Sequence, residues 1–178
     1  SGNTWTAVYT ANANDANGAV NYSIAFSDTA GNAGTPVTSG SGSVTTDTSV
    51  PTLSSVSISS NNANRSMATP TDVVTLSFTA SETIQSPTVT ASSGGATVNG
   101  NVSVSNTSGN TWTASFTANA NDTAGPVTYR IAFSDTAGNA GTPVTSTTDS
   151  SNVAVVIDTD LPTLLSSTPS DGSRAVKL

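Results

Sequence analysis

The sequence predicts an all-β fold, a β-sandwich present in one complete and one partial copy. Three observations lead there. Apolar and polar residues alternate with period two along several short segments, the signature of half-buried strands. Turn residues separate these segments, and helical periodicity is missing. Finally, the stretch Phe-Ser-Asp-Thr-Ala-Gly-Asn-Ala-Gly-Thr-Pro-Val-Thr-Ser runs from Phe26 to Ser39 and recurs, letter for letter, from Phe133 to Ser146, 107 positions later. That period is too long for a solenoid unit and fits one small domain per repeat.

The duplication extends beyond that stretch. Residues 1–39 align with 108–146 at 32 of 39 positions, Trp5 matching Trp112 and Tyr22 matching Tyr129. Four additional residues then enter the second copy. Register resumes with Asp47-Thr48 and Pro51-Thr52-Leu53 against Asp158-Thr159 and Pro162-Thr163-Leu164. The Asp-Thr-x-x-Pro-Thr-Leu element therefore marks a junction. The chain divides into 1–46, the C-terminal half of a repeat; 47–158, a complete repeat; and 159–178, a junction and the first strand of a following domain. It reads as a piece of a longer repetitive protein.

Within the complete repeat, Leu53, Val56 and Ile58 suggest a first strand, and 61–72 reads as a polar loop. Val74, Leu76, Phe78 and Ala80 alternate with Val73, Thr75, Ser77 and Thr79 and form a second strand. Pro87 to Ala91 is a third, closed by the turn at Gly94-Gly95, and Val98 to Ser105 supplies a fourth. Trp112, Ala114 and Phe116 alternate in a fifth, and Val127, Tyr129, Ile131 and Phe133 mark the clearest strand of all. Val153 to Ile157 completes a set of seven short strands, the pattern of a sandwich. Phe78, Trp112, Phe116, Tyr129 and Phe133 are the expected core aromatics. Tyr129, near the start of the penultimate strand, also sits where a tyrosine corner would tie down the preceding loop.

Composition removes whole classes of function. Only 8% of residues are charged and the net charge is −7. Four cations, Arg65, Arg130, Arg174 and Lys177, are too few to neutralise a nucleic-acid backbone. The chain has no Cys and no His, which excludes disulfides, thiol chemistry and a Ser-His-Asp triad. No apolar run reaches the length of a membrane span. A Lys–Asn isopeptide staple is excluded from 48–158, which contains no Lys. The Ser/Thr-rich outward faces read as solvated strand faces. O-linked glycans would need export, and the Thr pattern lacks the flat ladder that ice binding needs.

The junction Asp-Thr-x-x-Pro-Thr, the segment Phe78-Thr79-Ala80-Ser81-Glu82 and the turn Asp135-Thr136-Ala137-Gly138-Asn139 resemble the bacterial immunoglobulin-like repeats of very large surface adhesins and biofilm-associated proteins. The resemblance covers residues 1 to about 163. The tail from Leu161 to Gly172 is similar to the opening strand of another bacterial immunoglobulin-like class of surface-layer and secreted proteins. The resemblance implies tandem immunoglobulin-like sandwiches, one complete and one partial here, in an extracellular rod at the bacterial cell surface. It also implies calcium between neighbouring domains and no enzymatic activity in the repeats.

The eleven carboxylates are the groups left to carry chemistry. In a seven-strand sandwich, the loops after the second, fourth and sixth strands return to the pole where the first strand begins. Glu82 follows the second strand, Asp135 follows the sixth, and Asp47 lies in the junction entering the domain. These three should converge at one pole and suit calcium, with Asn139 and junction carbonyls completing the shell. At the opposite pole, Asp122, Asp158 and Asp160 repeat the arrangement. Asp28 is the earlier counterpart of Asp135, and no complete site is expected there. A second role competes: Asp135 to Asn139 also reads as a turn whose Asp caps backbone amides. No EF-hand loop is present. A glycosidase needs two carboxylates across a cleft, whereas these sit on polar loops.

The leading expectation is a structural spacer that holds an adhesive module away from the cell, its partners being neighbouring repeats of the same polypeptide. A glycan- or protein-binding module is a second reading. The inward positions expected for Trp5, Trp112 and the tyrosines weigh against it. A third reading treats 1–46, with open strand edges, as half of a filament subunit completed by strand exchange between identical chains.

Overall fold

The computed structural model describes residues 3–148 and 154–163, and these contain eleven strands and no helix. They are β1 (Gly18–Ala19), β2 (Thr45–Thr46), β3 (Leu53–Ser60), β4 (Met67–Ala68), β5 (Val73–Ala80), β6 (Thr88–Ser93), β7 (Ala96–Thr97), β8 (Ser103–Ser108), β9 (Thr111–Thr117), β10 (Gly125–Ala132) and β11 (Val156–Ile157). Two sheets share one hydrophobic core in a sandwich-like arrangement. One has the order β3-β5-β9-β8 and the other β4-β11-β10-β6-β7. A separate ribbon pairs β1 with β2.

Alternation places the core. Along β5, Val74, Leu76, Phe78 and Ala80 are buried and the residues between them only half so. Antiparallel pairing sets Val56 opposite Phe78 and Ile58 opposite Leu76, so apolar side chains meet across the strands on the inner face. On the other sheet, Tyr129 pairs with Ala91 and Ile131 with Val89, all four buried. Phe78, Phe116, Tyr129 and Phe133 are core residues as expected; Trp112 is half-buried and packs against the core.

The elements differ from expectation in places. Met67–Ala68 falls inside the segment read as a loop, yet pairs in parallel with β11 while Ala68 is fully buried. Two residues are too few to show a period. The fourth strand starts at Ser103 rather than Val98, although the Val98 side chain enters the core. Of the last predicted strand, Val153 lies outside the described residues and Val156–Ile157 pairs with β10. The first strand expected in 159–178 falls on residues from Leu164 onward, also outside the described residues.

Residues 3–46 reproduce part of the complete unit's backbone bonding, although residues 4–10, the counterpart of β9, form no strand. Ile24 bridges Val37 as Ile131 bridges Val144, and Ser27 bridges Ala33 as Ser134 bridges Ala140. Gly18 pairs with Thr46 as Gly125 pairs with Ile157. Gly31 and Gly138, at the same place in the repeated turn, have φ of 93° and 101°, a conformation that favours glycine. The side-chain environment is the opposite. Trp5, expected inward, is 91% exposed, and Tyr9 and Tyr22 are exposed too. Alternation specifies a face, but a face is buried only where other strands cover it.

Candidate metal centre

Asp47, Glu82 and Asp135 come together from three distant places in the chain: the segment between β2 and β3, the loop after β5, and the turn after β10. Each offers a carboxylate oxygen, and these atoms all lie within 4.8 Å of one another. It is the one acidic group of three or more found among the described residues. Asp47 and Glu82 are half-buried, and Asp135 is 1% exposed.

Backbone pairing positions all three. Asp135 bridges Ile84, which brings the loop after β5 alongside the turn after β10. Gln85 reinforces the contact: its backbone N–H donates to the Ser134 carbonyl at 2.9 Å and its side-chain Nε2 to the Asp135 carbonyl at 2.9 Å. The junction is tied to the same loop, since Ser81 N–H donates to the Thr52 carbonyl at 2.8 Å and Thr52 N–H to Ser81 Oγ at 3.0 Å. The Asp47 carboxylate accepts from Ser49 N–H at 3.0 Å.

Asp135 also organises its own turn. Its Oδ1 accepts from the backbone N–H of Gly138 at 2.7 Å and of Asn139 at 2.8 Å. Its Oδ2 accepts from Asn139 Nδ2 at 2.7 Å. Burial by itself pushes the Asp135 carboxyl up. The Asn139 side-chain amide and the N–H groups of Asn139, Gly138 and Ala137 outweigh it and hold the group below the usual carboxylate range. Asp135 is therefore an anion at neutral pH inside the protein. Asn139 is a donor here: its Nδ2 spans the Asp135 carboxylate and the Asp47 carbonyl, the latter at 3.0 Å. It latches the junction to the repeated turn. Gln85 was missed from the sequence, since nothing but its loop position marks it.

The electrostatics is one-sided. Both described arginines, Arg65 and Arg130, are exposed, and the groups that hold the Asp135 carboxyl are amide donors with no cation among them. Two unit charges 4.8 Å apart repel by about 1 kcal/mol in water and by ~3.5 kcal/mol at an effective dielectric constant near 20. A bound cation would remove that repulsion, and a cluster of carboxylate oxygens suits a hard divalent cation.

The opposite pole is built differently. Asp122 is buried, and its carboxylate accepts from Asn99 N–H at 2.7 Å, Asn99 Nδ2 at 2.9 Å and Asn119 N–H at 2.8 Å. Burial pushes its carboxyl up, but the bonds from Asn99 and Asn119 prevail and leave it lowered. Asp122 thus serves as a loop clamp. Asp158 and Asp160 do not group with it among the described residues. Instead, the Asp158 carboxylate accepts from Asp160 N–H at 3.0 Å, the same local turn that Asp47 makes with Ser49. Asp28 keeps the turn role of Asp135, accepting from Asn32 N–H at 2.8 Å and Asn32 Nδ2 at 2.8 Å, and joins no acidic group.

No protein-family model, curated protein or solved structure matches this chain.

Proposed function

We propose that the chain is a spacer segment of an extracellular bacterial surface fibre or adhesin, built from tandem immunoglobulin-like sandwiches and stiffened by calcium at its junctions. One observation carries the reading: three carboxylates from separate elements meet at the junction entering the complete unit, with ligand atoms within 4.8 Å of one another. Unneutralised, that convergence opposes folding. With a divalent cation it fastens the linker to two loops of the next sandwich and restricts bending.

Two further features agree. Asp158 stands where Asp47 stands in the repeat and makes the same turn with the residue two positions on, so the junction device recurs with the repeat. The linker is also bonded to residues 3–46. Thr48 N–H donates to Asn17 Oδ1 at 2.7 Å, and Asn17 Nδ2 donates to Ser49 Oγ at 2.6 Å. Force along the chain would thus meet linker contacts on both sides.

Calcium titration with calorimetry and small-angle scattering tests this. Calcium should raise the melting temperature and narrow the distribution of end-to-end lengths, and chelator should reverse both. A melting temperature and scattering profile unchanged by calcium or chelator refutes the calcium-stiffened spacer.

A further inference from the structure

We propose that the apolar face of residues 3–46 is an acceptor for a β half-sandwich carrying the sequence pattern of residues 47–107. The chain holds its own template for this. In the complete unit, residues 47–107 supply β3, β5 and nearly all of β8 to the sheet of β9, and β6 to the sheet of β10, and Tyr129, Ile131 and Phe133 are buried in the core that the two sheets share. Their counterparts Tyr22, Ile24 and Phe26 are the same residue types in the same local backbone, and they are exposed. Ile24 is 53% exposed against 0% for Ile131, and Phe26 is 54% against 7% for Phe133.

The acceptor is already shaped. Ile24 N–H donates to the Val37 carbonyl at 2.9 Å as Ile131 N–H does to Val144 at 2.9 Å, and Gly34 N–H donates to Phe26 at 2.9 Å as Gly141 does to Phe133 at 3.0 Å. Residues 4–10, the counterpart of β9, form no strand, whereas β9 lies between β5 and β8. What that segment lacks is the neighbour that β5 provides. A contiguous exposed face of aromatic and β-branched side chains marks an interaction surface, and the open strand edges beside it can take further strands. The complementary surface is the alternating face of Val56, Ile58, Leu76 and Phe78.

The test extends the full 178-residue chain at its N-terminus with a second copy of residues 47–107. Residues 47–107 contain no Trp, so Trp112→Phe leaves Trp5 as the sole reporter. Trp5 emission should shift to the blue and its quenching by acrylamide should fall severalfold relative to the unextended chain. Hydrogen exchange on the protein retaining Trp112 provides a second reading, with amides of residues 20–26 slowing at least about tenfold. Leu76→Asp with Phe78→Asp in the added segment should abolish both effects. Trp5 as accessible in the extended protein as in the unextended one overturns the proposal, as does equal protection by the charged segment. Protection of Trp5 in the unextended chain at rising concentration, with dimer formation, makes a second copy the occupant and also overturns it.

Discussion

Glu82→Gln separates a cation site from an incidental meeting of acids. Glu82 faces two like charges, Asp47 and Asp135, with oxygens within 4.8 Å. Each pair is worth between about 1 kcal/mol in water and ~3.5 kcal/mol at an effective dielectric constant near 20. Since Asp47 and Glu82 are only half-buried, the lower value applies, and neutralising Glu82 relieves about 2 kcal/mol in the metal-free protein. For a unit of this size that raises the melting temperature in chelator by roughly 8 °C. Calcium reverses the sense of the loss. At a hundredfold excess over its dissociation constant, calcium stabilises the unsubstituted protein by about 2.7 kcal/mol; a tenfold weaker site retains about 1.4 kcal/mol of that. The calcium-induced shift of Glu82→Gln should therefore be about half that of the parent. Calorimetry in chelator and across a calcium titration reads both quantities. A variant that melts below the parent in chelator, or two proteins shifted equally by calcium, refutes the reasoning.

Three other outcomes follow from the structure. A Cβ at Gly141 would overlap the Phe133 ring, and one at Gly34 would overlap Phe26 in the same way. Phe133 is buried and cannot yield, so Gly141→Ala should destabilise by about 1–3 kcal/mol in denaturant titration. The exposed Phe26 ring can swing aside, so Gly34→Ala should stay within ~0.5 kcal/mol. Thr71, β-branched, has φ of 84° in the turn before β5. Thr71→Gly should therefore stabilise by about 1 kcal/mol, raising the melting temperature by a few degrees. Asp122 has its carboxyl lowered by the bonds from Asn99 and Asn119 despite burial. A depressed folded-state value means this contribution is present above the ordinary aspartate value and is lost as pH falls through and below it. Asp122→Asn should lower stability at neutral pH and flatten the acid limb of a pH–stability curve.

The sequence alone settled the all-β class, the strong strands and the repeat, because each is a local or periodic property. The alternation of Val74, Leu76, Phe78 and Ala80 decides a strand and its inner face before any contact is made. Identical letters at Asp28 and Asp135 produce closely similar turns, sharing the bonds from Asn32 and Asn139. Short pairings such as Met67–Ala68 were not legible, because two residues carry no period and their strand exists only through β11. Strand order read from the sequence already placed Asp47, Glu82 and Asp135 at one pole; the tertiary structure decided that these three meet while Asp122, Asp158 and Asp160 do not. Asp135 meets Asp47 and Glu82 because the loop after β5 and the junction are bonded to its turn, whereas Asp28, in the same local sequence, meets neither. It also decided burial: Ile24 and Ile131 occupy the same position in the repeat, and one is exposed while the other is covered. Local sequence fixes the turns and the side a residue faces, whereas residues 4–10, the counterpart of β9, form no strand without a neighbour like β5. What lies on that side depends on strands far away in the chain.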